Sequence, residues 1–327
     1  MKLSEYVVFF SEVTPNTDLL GGKGSNLIKL IEIGVMIPPG FIINTKSYRK
    51  FLEESKYSSE LMKLLSKQFH FKEILQHSIK IRDLILKSKI PKKIIDEIRV
   101  AFDKIKENIG SKNSFAVRSS ATIEDTNKFS FAGQADTYLY NNNIYDIMAS
   151  LKNCWLSLFS PRSMLYILQM RKKGLNISLS DIYMAVIVQQ MVNSQISGVF
   201  FTANVINNDS NQMLINSAWG LGDTIADNLI IPDTIIIKKN QFEIIKKIIG
   251  KKEKKSIKNP EGPYSILIET DPQSRTVCSI NEKQLRQLHN LGLKIENTFN
   301  LPQDIEWAIE NDKIYILQSR PITTLKK

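Results

Sequence analysis

The sequence predicts an α+β (α/β) protein, and three features of its patterning carry that expectation. Short β-like apolar runs lie near the N-terminus and again after Ser114. A block of helical periodicity separates them, and a final helix leads into two strands. Val7–Phe10 is the first run. Gly21-Gly22-Lys23-Gly24-Ser25-Asn26 reads as a glycine turn opening a helix over Leu27–Ile31. Pro38-Pro39-Gly40 ends that helix, and Phe41–Ile43 is a strand. From Ser47 to about Ile109 the apolar period is helical, as at Ile74, Ile79, Ile81, Leu84 and Ile85, with a breaker at Pro91; this is a small helical insert.

Strand character returns at Ser114–Val117 and Asp136–Tyr140, and helices are expected over Ile144–Phe159 and Ser163–Lys172. Tyr183–Val188, Gly198–Thr202 and Met213–Asn216 are further strands. Ile230–Lys238 and Phe242–Ile249 form a lysine-edged β pair. The run Lys246–Lys255 reads as a solvated loop or edge, since lysines there discourage strand pairing. Helix Glu282–Glu296 precedes strands Asp304–Glu310 and Ile314–Ser319.

Composition narrows the class. With 327 residues, 43% hydrophobic and 24% charged, the chain is neither disordered, collagen-like nor a coiled coil. A net charge of +11 calls for an anionic partner: nucleic acid, a phosphorylated small molecule or an acidic surface. The aromatic–basic interleaving of RNA-binding modules is missing, which argues against nucleic acid. Two cysteines, Cys154 and Cys278, exclude a disulfide framework and fit a reducing, cytoplasmic compartment. The N-terminus has no signal-peptide pattern, and no apolar run approaches the roughly 20 residues that span a bilayer, so no membrane partner is expected.

Four segments carry chemistry. Lys23 among Gly21, Gly22 and Gly24 at a helix start is either an anion site, with backbone N–H groups and helix dipole aiding the ammonium, or a plain glycine turn. Arg118 ends an apolar strand before Ser119-Ser120-Ala121-Thr122-Ile123-Glu124-Asp125. It offers phosphate a planar fork or forms an Arg–Asp salt bridge, and Ser130–Gln134 reads as a covering lid or a loop. Val186–Val192 is a strand ending in polar residues, either an adenine-reading hinge or buried core. Pro302–Pro321 reads as a β-hairpin. A three-residue loop at Asn311–Lys313 would set Glu306 opposite Gln318 and Asp304 opposite Arg320; a two-residue loop would put them on opposite faces. In the right register the face offers oxygen ligands of the kind Mg²⁺ takes. His70, His77 and His289 have no metal-ligand spacing.

In order and spacing these segments resemble the ATP-binding module of phosphoenolpyruvate synthase, pyruvate phosphate dikinase and rifampicin phosphotransferase. The matching stretches are Leu20–Leu27, Ile37–Ile43, Ala116–Asp125, Ser130–Leu139, Val188–Val192, Ser197–Thr202, Gly220–Asp223 and Pro302–Thr323, with Ser130–Leu139 worded most like the rifampicin branch. The resemblance implies an ATP-grasp-like, two-lobed nucleotide-binding fold with ATP and Mg²⁺ in the cleft. Residues 1–185 would form an N-terminal lobe carrying the phosphate loops and the helical insert, about 47–109. Residues 186–327 would form a C-terminal lobe with the adenine hinge and the metal hairpin. By the same resemblance Lys23 and Arg118 hold the phosphates, Gly133 and Thr137 cover them, and Gln190, Met191 and Val192 read adenine. Glu306 and Gln318 ligate Mg²⁺ with Asp304 nearby, and Arg320 stabilises the transferred phosphoryl group.

The implied activity is that of an ATP- and Mg²⁺-dependent phosphotransferase, a dikinase-like kinase. It would pass a phosphoryl group to a phosphohistidine carrier in trans or directly to a small-molecule acceptor, with AMP as product if the dikinase chemistry is kept. The alternative is a catalytically silent ATP-binding regulatory or scaffold subunit. A separate carrier protein is expected because the sequence stops soon after Thr323 and no histidine sits in a glycine-rich Ser-His-Ala context. Two positions depart from the family pattern: Asp223 stands where glutamate is usual, and Asn228 where glycine is common.

Overall fold

Apolar alternation along the strands resolves into two larger antiparallel sheets, each burying one face against helices, and a separate two-stranded ribbon, the layering of an α+β protein. The computed structural model describes residues 4–109, 113–124, 137–175, 177–262, 264–323 and 325. The chain forms two compact units, one from Met1–Ile28 and Pro39–Met191, the other from Lys29–Pro38 and Val192–Lys327.

The first unit contains β1 (Val7–Phe9), most of α1 (Thr17–Glu32), β2 (Gly40–Ile43), α2 (Thr45–Glu54), α3 (Ser58–Ser66), α4 (Ile74–Lys87), α5 (Lys92–Ile109), β3 (Phe115–Ala121), β4 (Thr137–Asn141), α6 (Ile144–Ser157), α7 (Pro161–Lys172) and β5 (Met184–Gln190). The sheet order is β1-β2-β5-β3-β4. Helix starts follow local chemistry: Asn44 caps α2, Asn143 caps α6 through the Tyr145 and Asp146 N–H groups, and Pro161 begins α7. Phe115, Val117 and Ala121 of β3 enter the core with Phe51, Trp155, Val186 and Val188. Strand alternation therefore turns Ala116, Arg118 and Ser120 to the other face. The expected lobe change at 185/186 would fall inside β5. That strand is paired on both sides, with β2 and with β3, and those ladders keep it whole within the first unit, which ends at Met191.

The second unit contains β6 (Ile196–Phe201), β7 (Gln212–Trp219), α8 (Asp223–Ala226), β8 (Asp233–Lys238), β9 (Ile244–Ile248), β10 (Lys254–Lys258), β11 (Ser265–Glu269), α9 (Pro272–Thr276), α10 (Glu282–Phe299), β12 (Gln303–Glu310) and β13 (Lys313–Pro321). Its main sheet runs β13-β12-β6-β7-β8-β9, and β10-β11 pair separately. The face covered by α10 buries Leu285, Leu288 and Ile295 with Phe200, Met213, Ile305 and Trp307.

The lysine run departs from expectation at one residue. β9 is the sheet edge and is exposed throughout, but Lys252 is fully buried. It is ion-paired with Asp233 and donates to the Gly250 carbonyl at 2.9 Å. Asp233 also accepts from Gly250 N–H at 2.9 Å and from Ser279 N–H and Oγ at 2.7 Å each. Composition hid this because the partner comes from β8, not from the run. No helix among the described residues is long and apolar enough to cross a membrane.

Candidate functional site

In the first unit a short helical turn begins at Thr17 and breaks at Gly21, and a second helix starts from the glycines and runs to Glu32, as the glycine segment led one to expect. Gly21 has φ 70° and ψ 175°. The cause is the backbone of β3. A Cβ on Gly21 would lie 2.0 Å from the Ser120 carbonyl oxygen, and one on Gly22 would lie 1.8 Å from that of Glu124. Ser120 Oγ stitches the contact, donating to Leu20 O at 2.8 Å and accepting from Gly24 N–H at 3.0 Å. The Gly24 N–H is thus spent on protein, and these glycines serve helix–strand approach. Gly22→Ala should cost roughly 1–3 kcal/mol by overpacking. Gly222→Ala, where the nearest atom would be 3.7 Å away, is the control in thermal unfolding.

The same approach positions Lys23. Its Nζ donates to Ser119 O at 3.3 Å and lies 3.4 Å from Glu124 Oε2. Glu124 is buried and also accepts from Ala121 N–H at 3.0 Å. Sequence reasoning singled out Lys23 and Arg118 but missed Glu124 as the partner. Its only signal was acidity after the strand, where the alternative weighed was an Arg–Asp salt bridge. Arg118 pairs across strands with Thr137 of β4, so two expected site residues are neighbours. Gly133, with the rest of Ser130–Gln134, lies outside the described residues. At the end of β5 the Gln190 N–H donates to Pro39 O and the Met191 N–H to Ser114 O, both at 2.9 Å. The Met191 thioether accepts from Tyr140 N–H at 3.2 Å. Those two N–H groups are already engaged within the unit.

In the second unit the hairpin turn contains two residues, Asn311 and Asp312, both left-handed with φ 49° and 59°. This corrects the three-residue loop that the facing of the site residues was expected to need. A β-bulge supplies the missing residue. Glu310 pairs Lys313 and Trp307 pairs Ile316, then the register shifts past Leu317 so that Glu306 faces Gln318 and Asp304 faces Arg320. Arg320 Nε donates to Asp304 Oδ2 at 2.8 Å, with Nη2 also 2.8 Å from that oxygen. Gln318 Nε2 lies 3.4 Å from Glu306 Oε1. Ile305, Trp307 and Ile316 occupy the opposite, core face. Glu306 also pairs Val199 of β6, which pairs Asn216 of β7, so Asn216 extends the same row. Sequence reading passed over Asn216 because it sits mid-strand outside any motif. Val192 begins this unit and is half-buried.

The donor set suits a hard cation of modest protein demand. Two carboxylates and one amide share a face, and among the described residues no group of three or more His, Cys, Asp or Glu side chains could hold a metal. A cation that keeps waters and shares substrate phosphates fits such a set. The two departures from the family pattern also have local explanations. Asp223 Oδ2 accepts from Ser256 Oγ at 2.7 Å and Ser265 Oγ at 2.9 Å, tying β10 and β11 to α8. Asn228 has φ 54°, a conformation that asparagine and glycine tolerate best.

Over residues 17–327 the chain matches the family described as pyruvate phosphate dikinase, AMP/ATP-binding domain. It belongs to that family. The dikinase nucleotide domain is ATP-grasp-like, and this α+β chain is accordingly an ATP-binding domain of the phosphotransferase type. It is 35% identical to the phosphoenolpyruvate synthase of Pyrococcus furiosus over 98% of this chain and 44% of that protein. It is 35% identical to the probable phosphoenolpyruvate synthase of Methanocaldococcus jannaschii over 99% of this chain and 27% of the relative. Identity to the rifampicin phosphotransferase of Bacillus subtilis is 36%, over 94% and 34% respectively. The chain thus spans less than half the length of these curated relatives.

Proposed function

We propose that this domain catalyses the ATP- and Mg²⁺-dependent half of a dikinase-like phosphotransfer, handing a phosphoryl group to a histidine outside these 327 residues. The observation that carries the reading is the bulged hairpin, whose shift past Leu317 sets Glu306 opposite Gln318 and Asp304 opposite Arg320. In the first unit Lys23 and Arg118 are the cations for the triphosphate, with Thr137 beside Arg118. Phosphate oxygens compete with Glu124 and Ser119 O for the Lys23 ammonium. Gln190, Met191 and Val192 border the base. In the second unit Glu306 and Gln318 would hold Mg²⁺, with Asp304 orienting the Arg320 fork toward charge that develops on the transferred group. Mg²⁺, when bound, neutralises phosphate oxygens and draws charge from the leaving group. Positioning and charge stabilisation are the main demands of phosphoryl transfer.

The three histidines support an acceptor elsewhere. His77 is buried, stacked on Phe69, and its Nε2 bonds Leu64 O at 2.9 Å; His289 is buried with Nε2 bonded to Lys239 O at 2.8 Å. His70 is exposed, but its backbone N–H is tied to Glu73 at the start of a short 3₁₀ turn. The test is product chromatography with ATP, Mg²⁺ and an isolated phosphohistidine domain from a phosphoenolpyruvate synthase. AMP and phosphate, absent with Lys23→Ala/Glu306→Ala, support the dikinase reading. ADP instead of AMP would replace it with simple kinase chemistry, and ATP binding without turnover would overturn it.

A further inference from the structure

A cleft of about 170 Å³ opens in the first unit where α2 and α3 meet the segment leading into β5. Ordinary small-molecule pockets are roughly 300–1,000 Å³, so this one suits only a small ligand. Its wall combines Tyr48, Arg49 and Glu53 with Leu52, Leu179 and Tyr183. None of these residues belongs to the nucleotide machinery.

Two charges in this wall do not do what their spacing favours. Arg49 and Glu53 lie one helical turn apart, where opposite charges ordinarily pair. The next such pair along α2, Lys50 and Glu54, closes to 2.9 Å. Arg49 instead sits over the Tyr183 ring, its guanidinium carbon 3.7 Å from the centroid. A cation–π contact of this kind holds the guanidinium in place and leaves its N–H groups to act as donors. Among the described residues neither Arg49 nor Glu53 has an ion-pair partner. The third polar group is the Tyr48 hydroxyl, which is buried and has no hydrogen-bond partner among the described residues. Burial pushes its phenol up, so it remains a neutral donor near pH 7. A buried hydroxyl without a partner costs free energy that a ligand oxygen would relieve.

We propose that this cleft binds a small zwitterion with an apolar side chain, that is, an apolar α-amino acid. The carboxylate meets Arg49 and the Tyr48 hydroxyl, the ammonium meets Glu53, and the aliphatic chain lies on Leu52 and Leu179. A plain carboxylate would leave Glu53 opposing it, and a plain amine would leave Arg49 unmatched.

Isothermal titration of the full chain with L-leucine and L-valine tests this. The expected result is saturable one-to-one binding by at least one of them. Affinity should fall at least tenfold for the N-acetyl derivative and for isovalerate, and at least tenfold in both Arg49→Met and Glu53→Gln. ATP binding, measured in parallel, certifies that each variant is folded; if a variant fails that check, the ligand series on the unmodified chain decides. No saturation by either amino acid up to about 10 mM overturns the proposal. So does equal affinity for isovalerate, or unchanged affinity in either folded variant.

Discussion

Glu306→Ala is expected to lower AMP formation by about 10²–10³-fold, the scale on which loss of one preorganised electrostatic contact acts in an active site. The side chain lies on the row of β12 that faces away from the core, opposite Gln318, and the core face of the hairpin is untouched by the change. The melting temperature should therefore hold while turnover collapses. Raising Mg²⁺ should restore part of the rate if the carboxylate acts through the cation, because Asp304 and Gln318 remain on the same face. Glu310→Gln on the same strand is the control. Burial pushes the Glu310 carboxyl up, against a smaller lowering by the Asn193 backbone, and no site role attaches to it. Initial rates of AMP release across a Mg²⁺ series separate the outcomes. A Glu306→Ala rate near that of the unmodified chain would remove the hairpin from the mechanism.

The second large effect is on stability. Lys252→Met should destabilise the second unit by about 3–5 kcal/mol, the cost of leaving a buried charge without its partner. Asp233 would keep its bonds from Gly250 and Ser279 but lose the opposite charge in a site with no water access. Lys252→Met combined with Asp233→Asn should recover part of that loss, since no net charge remains buried. Denaturant unfolding of the single and double variants measures both numbers. A loss under about 1 kcal/mol in the single variant would mean that solvent reaches the pair.

Part of the candidate site's local structure was legible from pattern. Lys23 within its glycines and the Asp304–Glu306 alternation are short-range features, and local backbone periodicity governs them. Arg118 was expected to end its strand, but pairing with β5 carries β3 on to Ala121 and leaves Arg118 mid-strand. What escaped depended on distant residues. The glycines at 21 and 22 looked suited to an approaching anion, yet the approaching groups are the Ser120 and Glu124 carbonyls, about a hundred positions on. Glu124 itself carried no mark that distinguished a buried partner for Lys23 from a surface acid. Lys252 was indistinguishable from its solvated neighbours, because burial of a lysine is decided by whether an acid from another strand reaches it.

The hairpin separates the two kinds of information most cleanly. By itself the sequence determined that Pro302–Pro321 would turn back on itself, and that Asp304 with Glu306, and Gln318 with Arg320, would each share one side of a strand. Strand periodicity of two dictates that much. Only the tertiary structure decided whether the two pairs met. The turn is one residue too short for that register, and the extra residue at Leu317 corrects it while Ile305, Trp307 and Ile316 stay in the core beneath α10. A register slip of one residue would turn those side chains out to solvent, so burial of the core face sets where the bulge falls, and the bulge sets the site.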